Sequence, residues 1–120
     1  MSYKKTMAQV EDLMTKEYVM AAIDHGEYFS SPHEGYAIIK EEVEEALTEM
    51  DSVTWHLEYM WRNVRSEDPN NYLDAAHILE RKALCLACEA IQIAAMAMKF
   101  RSSFEDEEDG GNEEFTDRFK

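Results

Sequence analysis

Apolar residues recur along this chain at three- and four-residue steps in three stretches, and nowhere in the two-residue alternation of a strand. The first stretch, residues 4–25, sets Met7, Val10, Met14, Tyr18 and Ala21 on one face and predicts an amphipathic helix. Gly26 stands where a left-handed C-terminal cap belongs. The second begins with a clear start signal: Ser31 as N-cap, Pro32 at the first helical position, and Glu34 completing an S-x-x-E capping box. From there Tyr36, Ile39, Val43, Ala46, Met50, Val53, Leu57, Met60 and Val64 alternate steps of three and four, a heptad seam that predicts one helix to about Arg65. Ser66-Glu67-Asp68-Pro69-Asn70-Asn71 then interrupts the pattern, with Asn71 as the expected cap of a third helix starting near Tyr72.

The third helix is expected to run to about Ser103. Between Ala83 and Met98 its only strongly polar residues are Glu89 and Gln92, which predicts a buried helix. Alanines at 83, 87, 90, 94 and 97 permit close approach of a neighbouring backbone, and Leu86, Ile93 and Phe100 offer bulk on another face. The expected fold is all-α: a long antiparallel helical hairpin, roughly 50 Å from end to end at 1.5 Å per residue, plus a shorter N-terminal helix. One short helix cannot cover both long ones, so the expectation is self-association into a homodimer or homotetramer, a bundle of at least four helices.

Charge changes the picture in two ways. Twelve basic residues against 26 acidic ones give a formal charge of −14, which repels nucleic acid and anionic membrane. Residues 105–120 hold eight of the acids against Arg118 and Lys120, with Gly110, Gly111 and Asn112 among them, so the domain is expected over 1–104 and an acidic, disordered tail over 105–120. No segment reads as apolar enough to span a bilayer. The start, Met1-Ser2-Tyr3-Lys4-Lys5, runs into polar sequence unlike a signal peptide, and the expected location is the cytoplasm.

The ordered part remains acidic, and its acids are placed. Glu42, Glu45 and Glu49 share one face of the second helix, where like charges repel; Glu89 and Gln92 share a face of the third. Setting Arg65 level with Tyr72 across the turn makes Glu45 face Gln92 and brings Glu49 within one residue of Glu89, to about one helical turn. An ionised Glu89 in an apolar stretch needs a compensating charge, from a lysine or arginine or from a metal. Hard oxygen donors amid negative charge suit Mg²⁺ or Mn²⁺. Glu41 and Glu44 fall on the other side and read as solvated.

His33-Glu34-Gly35-Tyr36, then Glu41-Glu42-Val43-Glu44-Glu45, and later Cys88-Glu89-Ala90-Ile91-Gln92-Ile93-Ala94-Ala95-Met96-Ala97 resemble the MazG-like branch of the all-α nucleoside triphosphate pyrophosphohydrolases, over about residues 30–101. That resemblance implies an E-x-x-E on one helix, here Glu42 and Glu45, and an E-x-x-D on the next, here Glu89 and Gln92, binding Mg²⁺ or Mn²⁺. Gln92 departs from the family's aspartate but keeps an oxygen donor, and the 43 residues between Glu45 and Glu89 imply a long second helix. The implied reaction is hydrolysis of a nucleoside triphosphate to the monophosphate and pyrophosphate, with Glu41 or Glu49 as proton acceptor. Lys99, two turns past Gln92, is a candidate phosphate contact or a solvent-facing lysine.

Other readings compete. Trp55, Tyr59 and Trp61 suit base stacking, though core or subunit interface is the commoner use of such aromatics. Cys85-x-x-Cys88 suggests a redox or zinc pair, but its place in mid-helix favours packing as reduced thiols. One Asp74-x-x-His77 falls short of a di-iron bundle. The remaining alternative is a non-enzymatic helical oligomer or an inactive relative that binds a nucleotide or a partner protein.

Overall fold

The computed structural model describes residues 3–105, and every element among them is helical: α1 (Tyr3–His25), α2 (Pro32–Arg65) and α3 (Pro69–Phe104). The expected acidic tail lies outside the described residues beyond Glu105, whose backbone N–H closes α3 on Arg101 O. The helices of 34 and 36 residues form an antiparallel hairpin about which the molecule extends 62 × 31 × 23 Å, and α1 lies along α3.

The local signals at two of the boundaries act as expected. Gly26 takes φ +92 and donates its N–H to Ala22 O, ending α1. Ser31 Oγ accepts from Glu34 N at 3.1 Å, with Pro32 opening α2. The capping box is not reciprocal, because the Glu34 carboxylate is taken by Ser30 Oγ.

The start of α3 corrects the expectation. Its N-cap is Asp68, whose carboxylate accepts from Asn71 N and from Asn71 Nδ2, and Pro69 occupies the first turn. Proline lacks an N–H that this position leaves unpaired anyway, so it starts the helix instead of delaying it. The connection shrinks to Ser66, Glu67 and Asp68, with Glu67 in the left-handed region at φ +53 and Asp68 N donating to Asn63 O. Moving the start from Tyr72 to Pro69 shifts α3 by three residues against α2, which decides how the carboxylates meet.

At the other end the linker between α1 and α2 is pinned to α3. Phe29 N donates to Ser103 Oγ at 2.8 Å, and Ser103 Oγ donates to Lys99 O at 2.7 Å. The Phe29 ring is buried under Lys99 Nζ, 4.5 Å from its centroid. Gly35 lets this happen: a Cβ there would stand 2.6 Å from the Phe100 ring and 2.9 Å from that of Phe29.

The heptad seam is split by the tertiary arrangement. Ile39, Ala46, Val53 and Met60 are half-buried, as are Glu42, Glu49, His56 and Asn63 on the same stripe of α2 that begins at the buried Gly35, while Tyr36, Val43, Met50, Leu57 and Val64 stay exposed. The expectation of a buried third helix is also corrected: only Ala75, Ala95 and Lys99 of α3 are buried, and no large side chain of the described chain is fully enclosed. Two helices side by side cover only one face of each, so burial all round needs more neighbours than one chain supplies. By length and composition α3 is moreover long and apolar enough to cross a membrane, against the sequence-based expectation of no such segment. The core helix of a helical assembly passes that same test, so the length of the apolar run does not separate the two.

Candidate functional site

Midway along the hairpin, Glu42 and Glu45 project from α2 toward Glu89 on α3, and one carboxylate oxygen of each lies within 4.8 Å of the others. Glu42 and Glu89 are half-buried and Glu45 is exposed, so the cluster opens to solvent on one side. The register explains the meeting. Glu89 comes between Glu42 and Glu45, the place opposite Glu45 that a start at Tyr72 had given to Gln92.

Electrostatics follow from the geometry. Burial pushes the Glu42 carboxyl above the usual carboxylate range, and the charges of Glu45, Glu89 and Glu41 push it further the same way. Glu89 is raised as well, first by burial and then by Glu45, within hydrogen-bonding reach, and Glu49. One oxygen each of Glu42, Glu49 and Glu89 is buried with no hydrogen-bond partner. Among the described residues no lysine or arginine forms an ion pair with any of them, and the basic residue nearest in sequence on α2, Lys40, reaches Glu44 at 3.9 Å. Compensation of Glu89 by a protein cation, one of the two sequence-based options, is therefore not what this arrangement provides.

The remaining candidates fall into place around the cluster. Glu49 borders it one turn further along α2, where it acts on Glu89. Glu41 is exposed and bears on the cluster only through its charge on Glu42. Glu44 is exposed, as expected of a solvated residue. Gln92 is half-buried, one turn beyond Glu89. Lys99 is not the solvent-facing lysine of one expectation: it is 4% exposed, its Nζ over the Phe29 ring, two turns past Gln92. Its burial depends on Phe29 and Gly35, both tens of residues away in sequence, which only the fold brings to it.

The aromatic and sulfur residues depart from a core role within one chain. Trp55 stacks on Tyr59 at 5.5 Å yet stays more than half exposed, and Trp61, with Arg65 over its ring, does too. Cys85 and Cys88, expected to pack, are exposed free thiols because they lie on the side of α3 that α2 does not cover. His77 is exposed near the start of α3, as read from the sequence.

Fold and site together define a class: an all-α protein whose antiparallel hairpin holds a cluster of carboxylates between its two long helices. No family model, no curated protein and no solved structure matches the chain.

Proposed function

We propose that this chain is a metal-dependent nucleoside triphosphate pyrophosphohydrolase of the MazG-like kind, working as a homo-oligomeric helical bundle in the cytoplasm. The observation that carries the reading is the trio of buried, unpartnered carboxylate oxygens on Glu42, Glu49 and Glu89, in a cluster with Glu45 and no protein cation paired to it. Carboxylates left in this state suit a hard divalent cation, Mg²⁺ or Mn²⁺, which removes their repulsion and satisfies their lone pairs.

Glu42, Glu45 and Glu89 would hold the ion, with the Gln92 side-chain oxygen one turn on as a further donor. When bound, the ion supplies the positive charge that draws in a triphosphate and makes the attacking water more acidic. Glu49, outside the trio but with a buried free oxygen, is the better placed of the two candidate bases, because Glu41 faces solvent. Lys99, buried against Phe29 ten residues beyond Glu89 on α3, would be the cation for a phosphate only if it left that ring. The acidic surface argues against nucleic acid and anionic membrane as partners.

The alternative, an inactive relative or non-enzymatic oligomer, is favoured by one feature, the amide at Gln92 in place of an acid. A panel of nucleoside triphosphates with Mg²⁺ or Mn²⁺, followed by pyrophosphate detection, separates the two. The enzyme releases pyrophosphate only with the metal, and Glu45→Gln abolishes the release. No release from any triphosphate would favour the alternative.

A further inference from the structure

Cys85 and Cys88 are both free and both exposed, although they stand in the apolar stretch of α3. They are the two cysteines of the chain, so each is the other's partner for any bond within it. Three residues apart, they share one face of the helix at about 60° from each other. Nothing bulky crowds them there: Ala87 and Ala90 are exposed and Leu84 is half exposed. The same face runs on into the carboxylate site. Glu89 follows Cys85 by one turn and Cys88 by one residue, and Gln92 lies one turn past Cys88.

Two neighbouring sulfurs suit a soft metal or each other. A zinc site needs further ligands, and among the described residues the carboxylate trio is the one group in which three or more histidine, cysteine, aspartate or glutamate side chains come together. No third ligand joins the thiols. The helix, by contrast, already holds them near bonding distance, because Cα atoms three residues apart lie about 5 Å from each other, inside the span of about 4.4–6.8 Å that a disulfide bridges. Their Cβ atoms, at about 5–6 Å, must close by about 1–2 Å to reach disulfide geometry. A bridge therefore forms only as the turn between the cysteines deforms.

We propose that Cys85 and Cys88 form a reversible dithiol–disulfide site, oxidised by the disulfide of a small cellular thiol, and that the bridge distorts the turn on which Glu89 stands. The thiolate of one cysteine attacks a sulfur of the reagent, giving a mixed disulfide and expelling one small thiolate. The thiolate of the other then attacks the protein sulfur of that mixed disulfide, forming the bond between Cys85 and Cys88 and expelling the second. Two electrons pass from the cysteines to the reagent, and the two cysteine protons end on the two small thiols. Exposure and the strained approach of the Cβ atoms make such a bridge easily reduced, the transient kind that a reducing compartment uses for sensing.

The backbone carries the deformation to the site. By the pattern of an α-helix the N–H of Glu89 bonds the carbonyl of Cys85, and that of Gln92 the carbonyl of Cys88, so drawing the cysteines together loosens the bonds that hold both side chains in place. The bridge and this loosening need no metal; a loss of catalysis on oxidation rests on the function proposed above.

The test treats the full chain with oxidised glutathione and reads thiol titration, intact mass and amide hydrogen exchange, all without metal. Native wild type is expected to titrate both thiols and, on oxidation, to lose about 2 Da. Amides of residues 89–92 are expected to exchange at least about tenfold faster in the bridged form, and dithiothreitol to reverse both changes. Cys88→Ser should stop at a mixed disulfide on Cys85, heavier by one small thiol, with exchange at 89–92 unchanged. Thiols that react only after unfolding in urea would overturn the site, because its face is then covered in the native protein. Mixed disulfides or cross-linked chains in place of the internal bond would overturn the bridge. Unchanged exchange at 89–92 in a bridged chain would overturn its reach to Glu89, and an equal loss of protection in Cys88→Ser would overturn the bridge as the cause. Absence of metal-dependent pyrophosphate release from the reduced chain would count against the proposed function alone.

Discussion

Neutralising Glu89 is expected to make the metal-free protein more stable, which is the reverse of what truncating half of a buried ion pair does. In Glu89→Gln the side chain keeps its shape while one of three clustered charges disappears, and the new amide can donate to Glu42 or Glu45. At the 4.8 Å within which these oxygens lie, like charges repel by about 0.9 kcal/mol at the dielectric of water and about 3.5 kcal/mol at an effective value of 20. Glu45 faces solvent and the cluster opens to water on that side, so the lower figure governs. Losing two such repulsions then stabilises the fold by about 1–2 kcal/mol, and each kcal/mol moves the melting temperature by about 4–8 °C for a domain of this size. The same variant should lose its response to metal. If the intact site binds Mg²⁺ at about 1 mM, 10 mM Mg²⁺ stabilises wild type by about 1.4 kcal/mol, and Glu89→Gln by much less. The assay is thermal denaturation at pH 7.5 and one protein concentration, with chelator and with 10 mM Mg²⁺. A melting temperature that falls in the variant, by the equivalent of about 3–5 kcal/mol, would mean that a protein cation compensates Glu89 and would refute the reasoning.

Three further outcomes follow from the structure. Because Glu42 and Glu89 are both raised, the folded chain binds more protons than the unfolded one above the ordinary glutamate range, so metal-free stability is greatest in acid and falls as pH rises through the raised values; urea titrations across pH 4–8 should show that slope, and saturating Mg²⁺ or Glu89→Gln should flatten it. Gln92→Asp restores an acid one turn from Glu89 and should lower the Mg²⁺ concentration for half-maximal stabilisation by about tenfold while raising pyrophosphate release; an unchanged midpoint would place Gln92 outside the ligand set. Gly35→Ala should destabilise the chain by about 1–3 kcal/mol in urea denaturation, since its methyl meets the rings of Phe100 and Phe29 at 2.6 and 2.9 Å; a neutral effect would mean that the linker is not clamped on α3.

The number of helices, their class and most of their ends were legible in the chain, because they rest on local chemistry: the period of apolar residues, the Ser31–Pro32 start, and Gly26. So were the site's acids, since an acid in an apolar run and three on one helix face are visible without coordinates. The register was not. It depends on whether Pro69 begins α3 or delays it, and the competition between Asp68 and Asn71 as cap is decided by how the chain folds back after Arg65. Those three residues separate a cluster of Glu42, Glu45 and Glu89 from one centred on Gln92. Nor could the sequence show Lys99 to be buried, because Phe29 and Gly35 reach it only once the linker is laid across the end of α3. The heptad seam was legible as a line of apolar residues, but a line has no neighbours. Only the hairpin assigns half of it to α3 and leaves the other half outward, because an antiparallel neighbour covers one side of a helix and no more.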